Sequence, residues 1–340
     1  MTTPTIDAHD TCPCGSGKTY GQCCLGRTSD GSPRSDAKRA TEMVRKALEG
    51  RQFGTLEELQ AFVTDHVRQQ NERPLDEFLG LSPEQMRGLL YLPFASPNVA
   101  VIAGAPQGGA AAPISRLFGM LAEAIGEQGL KPTATGNLPR ALCREAARAY
   151  WDEKTYQERT RYGAINSEMD FPELHVARLT AELAGLIRKY RGRFLLTRDA
   201  RRMLGDHGLT AIYPRLFRAY IEQFNWGYGD RYPDLPFIQQ AFLFTLYLLA
   251  RYGTTRRSHR FYEDAFLAAF PMLRDEVPRN DIIDPEQTLR SCYTWRALIH
   301  FADFLGLAAV VPLADNPLSY DYQVEALPLL REIVHFPMLA

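Results

Sequence analysis

The residues most capable of chemistry come early in the chain. Cys12, Cys14, Cys23 and Cys24 lie between residues 12 and 24, in the spacing C-x-C-x8-C-C. Thiols packed this densely form either disulfides or a metal site. Bridging Cys23 to its neighbour Cys24, or Cys12 to Cys14, would strain the backbone, and bridging between the pairs needs an oxidising compartment. The first ten residues, MTTPTIDAHD, show neither a basic start nor an apolar core of a secretory signal, so the expected location is cytoplasmic. Four soft thiolates in one closed set then suit a single tetrahedral, structural zinc ion. Gly15, Ser16 and Gly17 let the chain curl so that backbone N–H groups can point at the sulfurs. Lys18, with Arg27 further on, can offset the excess negative charge of a four-thiolate zinc. Such a unit is held by its metal rather than by burial.

Cys12-Pro13-Cys14-Gly15-Ser16-Gly17-Lys18, then Tyr20, then Cys23-Cys24 resembles the SEC-C motif, a short zinc-binding module found at the C-terminus of the SecA translocase and in many bacterial proteins of unrelated architecture. The resemblance covers residues 9–26 and carries the ligand roles onto Cys12, Cys14, Cys23 and Cys24. It implies zinc and a surface for a protein or ribosome partner. It does not imply translocation, since nothing here resembles the translocase motor. Gly15-Ser16-Gly17-Lys18-Thr19 also imitates the end of a phosphate-binding loop. The position five before Gly17 is Cys12 rather than glycine, and no apolar strand precedes it, so no nucleotide is expected.

The elements that must carry this module are helical. Hydrophobic content of 45%, charged content of 23% and a net charge of −1 describe a globular body with no overall pull toward nucleic acid or anionic membrane. The fold expected is mainly α: a small N-terminal zinc knuckle (9–26), a linker (27–35), an N-terminal helical region (36–104), and a helical body (114–340) with winged-helix-like repeats and short β-hairpins. The most apolar run, 237–249, contains Gln239 and Gln240 and is too short to span a bilayer.

Local signals place the first helices. Gly50 ends one at its C′ position, Thr55 and Glu58 open a second, and Ser82-Pro83-Glu84-Gln85 opens a third. Leu56, Leu59, Phe62, Val63 and Val67 give the second an apolar stripe. Residues 99–102 read as a strand or an apolar plug. Three segments then repeat the order helix, Gly-Leu, extended hairpin or strand, helix: 114–150, 173–204 and 288–334. In the second copy, residues 185–188 and 193–197 read as strands around a turn at Arg191-Gly192. Lys131-Pro132-Thr133-Ala134-Thr135-Gly136-Asn137-Leu138-Pro139-Arg140 resembles a stretch of uncharacterised bacterial proteins, which supports architecture only.

Catalysis is not expected. The seven histidines are scattered, none at a metal-ligand spacing. Glu168 and Asp170 ahead of His175 read as helix capping. Cys143 and Cys292 read as core cysteines. Aromatics from Phe217 to Tyr252 recur at helical spacing and read as core, with an exposed turn at 224–230. The functional expectation is a non-enzymatic zinc-binding adaptor that docks on a protein or ribonucleoprotein partner. The alternative is a DNA- or RNA-binding regulatory protein using Arg188, Lys189, Arg191 and Arg193, in the most basic stretch of the chain.

Overall fold

The computed structural model describes residues 41–339, apart from 43, 44, 105, 279–283 and 314–320. The expected zinc knuckle and linker lie outside the described residues. Contacts divide the chain into two units, Met1–Arg73 and Pro74–Ala340.

In the first unit, residues 45–48 are helical and Gly50 follows with φ +75°, the left-handed residue its C′ position calls for. Helix α1 (Leu56–Glu72) is capped by the Thr55 hydroxyl, which accepts from the Glu58 N–H. Its apolar stripe stays open: Leu56 is 63% and Val67 40% exposed.

The second unit holds the core. Helix α2 (Pro83–Tyr91) starts with the full reciprocal capping box between Ser82 and Gln85. Strand β1 (Val101–Ile102) pairs antiparallel with β7 (Val334–His335), near the other end of the chain. Residues 104–113 thus lie inside the Pro74–Ala340 unit. A short local signal such as Gly104 to Pro113 cannot reveal a strand partner more than two hundred residues away.

Helices α3 (Pro113–Ile125), α4 (Arg140–Tyr150), α5 (Glu153–Thr160) and α6 (Pro172–Leu183) lead into the hairpin β2 (Ile187–Tyr190) and β3 (Arg193–Leu196). The predicted turn is there. Arg191 and Gly192 both have positive φ, +48° and +70°, which matches the twist of a two-residue hairpin. In the first repeat the expected hairpin or strand is reduced to one strand residue: Leu130 exchanges both backbone hydrogen bonds with Phe194 of β3, at 2.8 and 2.9 Å. The first two repeats thus interlock into one unit: helix, strand residue, helices, hairpin.

Helix α7 (Arg198–Glu222) kinks at Gly208, whose φ is +64° and ψ −153°. The apolar run 237–249 splits at Ala241 into α8 (Phe237–Gln240) and α9 (Phe242–Tyr252). Residues Phe242 to Leu249 are all buried, which is why the run is apolar on every side. No described helix is long and apolar enough to cross a membrane. Strand β4 (Arg257–Ser258) and helix α10 (His259–Ala269) follow. Then α11 (Pro285–Tyr293) runs into a π-helix, Thr294–Asp303. Strands β5 (Ala308–Pro312) and β6 (Tyr322–Ala326), with β4 on the far side of β6, form the hairpin expected of the third repeat, and α12 (Pro328–Ile333) closes it.

One close approach locks α7 to the 107–111 turn. A Cβ on Gly109 would lie 2.6 Å from the Tyr213 ring, and Tyr213 is fully buried with its hydroxyl donating to the Leu305 carbonyl. Gly109→Ala should therefore cost about 1–3 kcal/mol through overpacking. Chemical denaturation checks this, and an unchanged midpoint would refute the close-packing account.

Candidate functional site

The four cysteines expected to hold zinc lie outside the described residues. Among the described residues, no group of three or more His, Cys, Asp or Glu side chains is placed to hold a metal ion. The basic set is described. Arg188, Lys189, Arg191 and Arg193 sit together on the β2–β3 hairpin, all exposed. The guanidinium groups of Arg188 and Arg191 each lie 5.2 Å from the Tyr190 ring centre. Arg193 donates to the Gly129 carbonyl at 3.0 Å. Lys189 lies 3.9 Å from Glu182 and 5.0 Å from the Phe194 ring centre.

Helix α6, which precedes this hairpin, buries Leu174, His175, Ala177, Arg178, Thr180 and Ala181, while Pro172, Val176, Leu179 and Leu183 form a partly open stripe. What holds its buried side is partly electrostatic. Glu168, expected to cap, is fully buried and pairs with two residues of α6. Its Oε1 accepts from Arg178 Nε at 2.6 Å and from His175 Nδ1 at 2.7 Å, and its Oε2 accepts from the Leu138 N–H at 2.6 Å. Burial opposes the charge, but His175, Leu138 and Arg178 together outweigh it and hold the carboxyl below the usual carboxylate range. Asp170 does cap, accepting from the N–H groups of Asn166 and Ser167. The Gly136-Asn137-Leu138-Pro139 stretch thereby gains a purpose. A turn closed by Thr133 and Asn137 delivers Leu138, 1% exposed, to the buried carboxylate.

Because Glu168 is ionised beside Arg178, His175 Nδ1 must donate to it. Nε2 on the other side of the ring is hydrogen-bonded to the Tyr228 hydroxyl at 3.1 Å. Glu168, His175 and Tyr228 form one hydrogen-bonded line from the interior to a cavity of about 1300 Å³. Sequence reasoning missed this line. Its members are 7 and 53 residues apart, and only the Glu168–His175 spacing was visible.

The cavity lies between α6, the 224–232 loop, α10, α11 and the π-helix. The 224–230 segment is the expected turn, and it is partly exposed: Asn225, Gly229 and Tyr228 (49% exposed) are open and Tyr228 forms cavity wall, while Phe224 and Trp226 are buried. The segment is held because Arg296, 3% exposed at its side chain, pairs with Asp230 at 2.6 Å and donates to the Pro233 carbonyl. A Cβ on Gly227 would come within 2.9 Å of that guanidinium, so a larger residue there would have to displace its end.

The π-helix makes the opposite wall. Its wider turn sets Trp295, Ile299, His300 and Asp303, four and five residues apart, on one side toward the cavity. Burial pulls His300 down to about 4, so its ring is neutral. Burial pushes Asp303 up to about 6 against the Val310 N–H that its Oδ1 accepts at 3.0 Å. Nothing in the local pattern of 285–305 separates this π segment from an ordinary helix. Cys143 and Cys292 are buried core residues, as expected, and burial pushes their thiols up to about 11 and about 12.

No curated protein and no solved structure matches the chain. Two family models do. That of the Y4jL N-terminal domain matches residues 110–209, a span from the turn before α3 to the kink of α7 that takes in Leu138, Glu168, His175, Arg178 and the basic hairpin. That of the SEC-C motif matches residues 10–26, and the chain therefore carries a SEC-C motif, a module of zinc-binding type, ahead of a mainly helical body.

Proposed function

We propose that the chain is a non-enzymatic adaptor of the bacterial cytoplasm, which binds one structural zinc ion through Cys12, Cys14, Cys23 and Cys24 and docks on a protein or ribonucleoprotein partner through that module. The observation that carries this reading is the SEC-C match over 10–26, which embraces all four cysteines. A four-thiolate zinc leaves no open position for water, so the metal serves structure.

We read the helix–strand–helices–hairpin order of 113–196 as winged-helix-like, with α6 in the position of the groove-reading helix and β2–β3 as the wing. A groove-reading helix needs a free face with polar side chains for base edges. The stripe that α6 leaves partly open, Pro172, Val176, Leu179 and Leu183, is apolar, and Glu168 staples Arg178 inward, which favours a protein scaffold over the nucleic-acid alternative. The protonated thiols of Cys143 and Cys292 favour no nucleophilic role.

Cys14→Ser tests the reading. Metal analysis should show one zinc ion per wild-type chain and none in the variant. The melting transition of the Pro74–Ala340 unit should be unchanged in the variant. In capture from lysate, a partner held by wild type in the presence of nuclease should be lost by Cys14→Ser. A partner retained equally by both would overturn docking through the zinc module. Loss of the body's cooperative transition would overturn the tethered arrangement.

A further inference from the structure

We infer that the cavity between α6 and the π-helix is a binding site for an organic cation, an amine or guanidinium carried on an apolar or aromatic body. The volume, about 1300 Å³, is ample for a ligand of that size.

The charges decide the sign of the ligand. Four arginines line the cavity, and three of them are already committed to carboxylates. Arg159 pairs with Glu173 at 3.1 Å, Arg260 with Asp321 at 3.1 Å, and Arg290 with Asp264 at 2.6 Å. An anionic ligand would have to break one of these pairs or rely on Arg231 alone. Carboxylate oxygens are the groups left over. Glu173 spends one oxygen on Arg159, and its Oε2 is buried with no hydrogen-bond partner among the described residues. An unsatisfied buried acceptor is costly, and the group that relieves it is a donor, most effectively a charged one. Asp303 faces the same space, its Oδ1 accepting only the Val310 backbone N–H among the described residues. Both carboxylates line this cavity together with the Tyr150 phenol.

The remaining wall suits the rest of such a ligand. Tyr150, Trp295, Tyr228, Phe224 and Phe304 line it, and aromatic faces attract cations as well as covering apolar surface. The Trp295 ring is 4.7 Å from that of His300, which is neutral and so does not repel a positive guest. The π-helix that presents Trp295, His300 and Asp303 together is a less favourable backbone than an α-helix. Such segments recur at functional sites, and here it puts these three side chains on one wall.

The test is calorimetric titration of the full chain with phenethylamine, agmatine and spermidine, set against phenethyl alcohol and phenylacetate. At least one of the amines should bind, the neutral alcohol should bind more weakly, and phenylacetate should not bind. Glu173→Gln and Asp303→Asn preserve side-chain shape, and each should weaken amine binding about tenfold or more. Glu84→Gln, a surface change outside the cavity, should leave it unaltered. Phenylacetate binding as tightly as the amines would overturn the assignment. So would amine binding indifferent to both cavity variants, or no binding of any amine at millimolar concentration.

Discussion

Glu168→Ala should destabilise the Pro74–Ala340 unit by about 3–5 kcal/mol, the cost of leaving a buried ion-pair partner without its counter-charge. Three groups lose their acceptor at once: the guanidinium of Arg178, 3% exposed at its side chain, His175, and the N–H of Leu138. Arg178 keeps Glu182, but that carboxylate sits at the partly exposed end of its reach. For a unit of this size the change corresponds to a fall in melting temperature of roughly 10 °C. Glu168→Gln should fall between wild type and alanine, because an amide oxygen can still accept from Leu138 but carries no charge. Its pH dependence has a definite sign. The folded-state carboxyl lies below its unfolded value, so the charge contributes fully above the ordinary carboxylate range and is lost as pH falls below it. The gap between wild type and Glu168→Gln should therefore narrow in acid. A glutamine variant that melts with wild type at neutral pH would show that the buried charge does not staple α6.

That staple marks the limit of what the chain's local pattern discloses. Caps and turns are set by residues three or four apart, and they were readable. Thr55 with Glu58, Ser82 with Gln85, Gly50, and the Arg191-Gly192 turn all formed as expected, because each answers an orphan backbone group or a required φ on the spot. Readings that failed depended on distant partners. Glu168 looked like a cap because the Leu138 N–H and Arg178 are neighbours only in the fold. That Asp230 anchors the 224–230 turn was hidden because Arg296, which holds it, is 66 residues further on. The first repeat read as a hairpin or a strand, and Phe194, the partner that decides it, is 64 residues beyond Leu130. The cavity was invisible for the same reason. The aromatics of 217–252 were read as core, and Phe224 and Trp226 are buried, but Tyr228 lines open space. Periodicity reports that a side chain leaves water and not which surface it meets.

The two titrating groups of the π-helix should give opposite pH signatures, and this is the second large effect. Asp303 has a folded value near 6 against an ordinary 3.8, so the folded chain keeps a proton that the unfolded chain has released. Its contribution therefore falls as pH rises between these values. His300 has a folded value near 4 against an ordinary 6.5, so the unfolded chain takes up a proton that the folded chain refuses. Its contribution is present above the higher value and falls as pH drops through the same window. Each shift amounts to at most about 3 kcal/mol, reduced by whatever solvent reaches these half-buried groups. In the wild type the two slopes oppose one another and largely cancel. Asp303→Asn should remove one slope, gaining on wild type by up to about 3 kcal/mol near neutral pH and converging with it near pH 4. His300→Gln should do the reverse, gaining toward pH 4 and not near neutrality. The groups around them, Tyr150 on α4, Arg159 on α5, Glu173 on α6, Asp230 on the loop and the Val310 N–H on β5, are unchanged in both variants. Melting temperatures of the three proteins across that pH range decide the matter. Variant curves that run parallel to wild type would show that neither group is desolvated as the structure places it. Curves that diverge in opposite directions would establish that the π-helix holds a neutral histidine and a reluctant carboxylate side by side, the environment in which a bound cation would draw Asp303 into its ionised form.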